Sequence, residues 1–129
     1  MENISVPVSP GEVLDKITIL EIKSERIGDA DKLVNVRREL ELLSQTWDRL
    51  IAADDTIRSL KSRLKEVNEA LWEIEDDIRD KERAREFDDE FIRLARAVYV
   101  TNDKRSVIKK ELNLHLGSQI VEEKSYQAY

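Results

Sequence analysis

Apolar positions recur along this chain at spacings of three and four, the period of helices that each bury one face. Leu33, Val36, Leu40, Leu43, Trp47 and Leu50 form one stripe; Ile57, Leu60, Leu64, Val67, Leu71, Ile74 and Ile78 form another. Together they predict packed, near-antiparallel helices joined at Asp54-Asp55-Thr56. Upstream, Ser9-Pro10-Gly11-Glu12 reads as a helix start, with Ser9 as N-cap, Pro10 at the first helical position and Glu12 closing a capping box. This first helix is expected to reach Ile27, with Gly28 in a left-handed position and Asp29 or Asp31 capping the next helix. The third helix is expected over 56–84, roughly 40 Å at about 1.5 Å per residue. At Glu86-Phe87-Asp88-Asp89 the pattern resets: Asp88 caps a fourth helix, Phe87 staples against Ile92, and Gly117 ends it. Before the first helix, alternation around Ile4–Val8 suggests a short extended segment that Pro7 confines to an edge. After the fourth, Ile120, Val121, Tyr126 and Tyr129 are apolar anchors that should dock the tail, with the amino-terminal segment as one candidate partner.

Composition narrows the fold class. Three Gly and two Pro in 129 residues, with 39% charged, favour long solvated helices over a sheet. The expectation is an all-α single domain over 1–129: an up-down bundle of about four helices with a long antiparallel hairpin and short extended termini. The absence of Cys excludes thiol catalysis, disulfides and iron–sulfur ligation, and a lone His115 cannot supply paired imidazole ligands. Glu73, Glu75, Asp76, Asp77 and Asp80 read as a solvated acidic face rather than a metal site. No catalytic residue, metal ligand or cofactor is therefore assigned. A formal charge of -6 disfavours nucleic acid and anionic membrane. Met1-Glu2-Asn3 carries no basic leader, and Asp15 and Lys16 interrupt the first apolar stretch, so the expected location is the cytoplasm.

Candidate chemistry lies where polar residues fall on apolar faces. In the fourth helix Phe91, Ala95 and Val98 are followed in line by Asn102, Arg105 and Lys109 before Leu112 and Leu116 resume the stripe. Beside the stripe of the third run Asn68, Trp72, Glu75 and Arg79. An antiparallel hairpin turning near residue 86 sets Trp72 level with Tyr99, Glu75 with Arg96 and Asn68 with Asp103. The candidate set is thus Asn68, Trp72, Glu75, Arg79, Arg96, Tyr99, Asn102, Asp103 and Arg105. It forms either a polar pocket for a small anionic ligand, with Arg96 and Arg105 on the anion and Glu75 as acid or base, or an internally paired network that fixes helix register. The same register gathers Arg58, Lys61, Arg63 and Lys65 with Lys104, Arg105, Lys109 and Lys110, a phosphate site or a balanced surface. His115 falls in a last helical turn, where the dipole favours positive charge. In the first helix Val13, Ile17, Leu20 and Ile27 make a core stripe, whereas Ile19 and Ile22 point to the other side and suggest contact with the tail, a second copy or a protein partner.

Four stretches also carry a family resemblance: VSPGEVLDKITILEIK from Val8, LWEIEDDIR from Leu71, FIRLARAVYVTNDKR from Phe91 and GSQIVEEKSY from Gly117. They resemble a family of short bacterial and phage proteins of unknown function, similar to segments found beside glycosyltransferases and surface-polysaccharide genes. The resemblance covers nearly the whole chain and implies a context without an activity. Two readings follow: a non-catalytic interaction or accessory module linked to glycan assembly, and a helical bundle that binds or converts a small anionic ligand.

Overall fold

The computed structural model describes residues 1–129 as four helices with no strand. They are α1 (Pro10–Arg26), α2 (Ala30–Leu50), α3 (Asp55–Ala84) and α4 (Asp89–His115). Each begins on a side chain that satisfies exposed N–H groups. Ser9 Oγ accepts from Glu12 N at 3.2 Å, Asp29 Oδ1 from Asp31 N at 2.9 Å, Asp54 Oδ1 from Ile57 N at 2.7 Å and Asp88 Oδ1 from Phe91 N at 3.0 Å. At the end of α4, Gly117 takes φ +64°, and Ser118 N donates to Asn113 O across the turn at 2.9 Å. α1 stops differently from expectation: Ile27 is extended and Gly28 has no positive φ, because the chain turns directly into the Asp29 cap.

α1 is the central element. It packs against each of the other helices, α3 and α4 pack along each other, and the backbone of α2 approaches α1 alone. The expected α2–α3 pairing is therefore replaced by α1–α2 pairing. A three–four stripe specifies an apolar face, not the helix that covers it. With one neighbour, α2 buries no residue completely. Its end still reaches the core, where Trp47 and Ile51 pack around Leu14, Ile57, Leu60, Leu64, Ile108 and Leu112. Being covered on several sides, α1 buries Leu14, Asp15, Ile17, Thr18, Leu20 and Ile22. Ile22, at 1% exposure, is thus an interior residue rather than part of a second outer surface.

The α3–α4 hairpin closes through Arg85 at φ 55°, a left-handed conformation that costs a residue with a Cβ about 1 kcal/mol or more. Lys81 Nζ donates to Glu86 and Asp88, both at 2.9 Å, and holds the turn. Phe87 meets Phe91 edge-on at 5.1 Å, while Ile92, the expected staple partner, remains exposed. The segment before α1 forms no strand and is exposed through Val8. The tail lies on α4, not on that segment, and is held by charge rather than by the expected apolar anchors: Glu122 and Glu123 meet Lys109 and Lys110, and Tyr129 Oη donates to Asp103 Oδ2 at 2.5 Å, whereas Ile120, Tyr126 and Tyr129 stay exposed.

Candidate functional site

Where α1 crosses the long hairpin, a carboxylate is fully enclosed. Asp15 is 1% exposed. Its Oδ1 accepts from Arg105 Nε at 2.8 Å and from Asn68 Nδ2 at 2.9 Å, and its Oδ2 accepts from Arg105 Nη2. Asn68 Nδ2 also donates to Thr18 Oγ1 at 3.0 Å, and Thr18 Oγ1 donates to the Asp15 carbonyl at 2.8 Å. Removing a carboxylate from water costs several kcal/mol, which a two-pronged guanidinium contact and an amide donor offset. The Asp15 contact holds the Arg105 pKa above its ordinary value despite partial burial. Arg105 Nη1 reaches Asn102 Oδ1 at 3.4 Å. Three helices are tied at one level by charge and amide geometry, not by apolar contact alone.

Next to this network lies a groove of about 410 Å³. Ile19, Ile22 and Lys23 come from α1, Asn68, Leu71, Trp72, Glu75 and Asp76 from α3, and Asn102 and Arg105 from α4. Of the nine candidate residues, Asn68, Trp72, Glu75, Asn102 and Arg105 meet here. Tyr99, Asn102 and Asp103 line a separate cavity under the tail. Arg79 and Arg96 are exposed and line neither space; Arg79 Nε donates to Glu75 Oε2 at 3.2 Å. The expected Glu75–Arg96 pair is thus replaced by one within α3. Tyr99 likewise turns from the Trp72 groove to Tyr129, the ring centroids lying 5.2 Å apart. Helix rotation decides these partners, and matching levels along two helices leaves that rotation free.

A family model described as a family of unknown function (DUF6165) matches residues 4–129. The chain belongs to this family. The four stretches quoted above all lie within the match. No curated protein and no solved structure matches the chain.

In this member of DUF6165 the basic cluster is largely neutralised. Lys61 meets Glu21, Lys65 meets Glu21 and Glu25, Arg63 meets Glu111, Arg58 meets Asp55, and Lys110 meets Glu123. Burial is the largest single influence on the Lys109 ammonium and works against it, but Glu12 at 2.8 Å, Asp15 and Glu122 together outweigh it, and the pKa ends above the lysine value. Lys104 alone of the eight has no ion-pair partner. Of the acidic residues Glu73, Glu75, Asp76, Asp77 and Asp80 of α3, three form separate ion pairs, Arg26–Glu73, Arg79–Glu75 and Arg83–Asp80. His115 Nε2 lies 2.9 Å from Asp54 Oδ2, joining the end of α4 to the cap of α3.

Sequence reasoning missed the central Asp15, whose signal was a carboxylate inside the apolar run of the first helix. It also missed Asn113, buried where Leu112 and Leu116 announce an apolar seam. Asn113 Oδ1 accepts from Gly11 N at 2.7 Å and fixes the start of α1 on α4. No helix is long and apolar enough to cross a membrane.

Proposed function

We propose that this chain is a non-catalytic helical interaction module, an accessory to surface-glycan assembly, whose recognition surface is the groove between α1, α3 and α4. One observation supports the reading above others: features inferred separately from the sequence share this groove. Ile19, Leu71 and Trp72 give it an apolar wall backed by the buried Ile22, while Asn68, Asn102 and Arg105 give it a polar floor. The Arg105 charge is already matched by Asp15, so the floor is a fixed scaffold and not a free anion hook. Lys23 is the groove cation without an ion-pair partner. The fitting occupant is a partner segment with one apolar side chain against Ile19, Leu71 and Trp72 and an adjacent carboxylate on Lys23.

Selection from a displayed random-peptide library tests this directly. Enrichment of an apolar residue beside Asp or Glu, lost with Ile19→Asp and weakened by Lys23→Gln, is the supporting result. Ile19 is the suitable position because it is only half-buried, whereas Ile22→Asp would bury an uncompensated charge. No enriched motif, or a motif retained by Ile19→Asp, rejects the groove. A second copy as occupant would be revealed by concentration-dependent mass that Ile19→Asp removes.

A small anionic ligand is a second reading, favoured by a volume within the range of about 300–1,000 Å³ typical of small-molecule sites and by Lys23 beside Trp72. Thermal unfolding against nucleotides and sugar phosphates separates the two: a stabilisation abolished by Lys23→Gln favours the small ligand.

A further inference from the structure

The chain contains three tyrosines, and all three line one cavity of about 800 Å³ between α4 and the docked tail. Tyr99 rises from α4; Tyr126 and Tyr129 come from the tail. Tyr99 and Tyr129 pack edge to face with centroids 5.2 Å apart and planes at 64°. The carboxylate of Asp103 opens into the same space, beside the amide of Asn102. We propose that this cavity is a binding site for an organic cation of the alkylated-ammonium class, with the tyrosine rings as walls and Asp103 as counter-charge.

Aromatic faces carry negative quadrupole density, and a cation over them gains more as its hydration weakens. Alkylated ammonium suits such walls because its charge is spread beneath apolar methyl groups. The tail already places a cation there: Lys124 Nζ sits 5.7 Å from the centroid of Tyr126. Asp103 and Lys124 are the charged groups facing the cavity, one from each side. The neighbouring Lys109–Glu122 and Lys110–Glu123 pairs are internally matched and hold the tail in position. An entering cation would take the place of the Lys124 ammonium and compete with the Tyr129 hydroxyl for Asp103. Tyr126 and Tyr129, at 83% and 78% exposure, are rings that the isolated chain leaves largely open to a ligand.

The test uses the full chain titrated with tetramethylammonium chloride, read by tyrosine ring-proton NMR shifts, with sodium chloride at matched ionic strength as control. Saturable shifts are expected with tetramethylammonium only. Tyr126→Ala should weaken binding about two- to five-fold, the size of one exposed cation–ring contact, and Asp103→Asn should weaken it as well. Lys124→Gln should bind at least as tightly as the parent, because it removes a competing ammonium and leaves the rings in place. All these side chains lie outside the buried core, so helicity measured by circular dichroism should be unchanged. Shifts equal to those in sodium chloride overturn the proposal, as does binding that neither Tyr126→Ala nor Asp103→Asn weakens.

Discussion

Gly11 shows at the scale of one residue how closely α1 sits on α4. A Cβ at this position would stand 2.7 Å from the Lys109 carbonyl oxygen and 2.9 Å from Asn113 Oδ1. The first neighbour is backbone and cannot step aside without moving α4. Gly11→Ala is therefore expected to destabilise the fold by about 1–3 kcal/mol, the range of overpacking in a tight interior, despite alanine's better helix propensity. Urea unfolding measures it, and an unchanged midpoint would show that the two helices separate easily. At this scale the sequence was legible where chemistry is local. Ser9, Asp29, Asp54 and Asp88 cap helices because each reaches an N–H two or three positions ahead. Asp15 and Asn113 were illegible because their partners lie 90 and 102 positions away.

Among elements, the acidic caps make helix starts sensitive to pH. The Ile57 N–H and then His115 hold the Asp54 carboxyl below its ordinary pKa; Lys81 and then the Phe91 N–H do the same for Asp88. A lowered folded-state pKa means that the charged form is favoured by folding. The stabilisation is complete above the unfolded value, near about 4, and is lost as pH falls through the lower folded value. The urea midpoint is accordingly expected to fall below about pH 4, with a shallower decline in Asp88→Asn. A decline of equal slope in that variant would remove Asp88 as a contributor. Helix existence and boundaries were legible from period and caps; helix partners were not. The α2 stripe reads the same whether α1 or α3 covers it, and α1 was misread because an apolar face on each side of a helix signals a central position as readily as a second interface. Ile22 lies inside for that reason.

The molecule as a whole rests on a narrow core. Its buried apolar residues are few, with one cluster of Leu14, Ile57, Leu60, Leu64, Ile108 and Leu112 at the base of the hairpin. Domains of this kind hold net stabilities of about 5–15 kcal/mol, so one buried ion pair is a large share of the whole. The polar seam of the candidate site was readable as a break in the α4 stripe, but its meaning depended on whether Arg105 faced a ligand or a carboxylate. Asp15 answers that it faces a carboxylate, and the groove inherits a rigid floor. The Asp15–Arg105 contact, flanked by Asn68 and Thr18, locks α1 onto the α3–α4 hairpin. The most direct measurement is the unfolding free energy of Arg105→Leu beside that of Asp15→Leu and the double variant. Arg105→Leu is expected to cost about 3–5 kcal/mol by leaving the enclosed Asp15 carboxylate without its partner, and Asp15→Leu less, because Arg105 is only partly buried, with the double variant recovering part of the sum. An Arg105→Leu chain as stable as the parent, or more so, would contradict the account and return Arg105 to the role of a free ligand-binding cation.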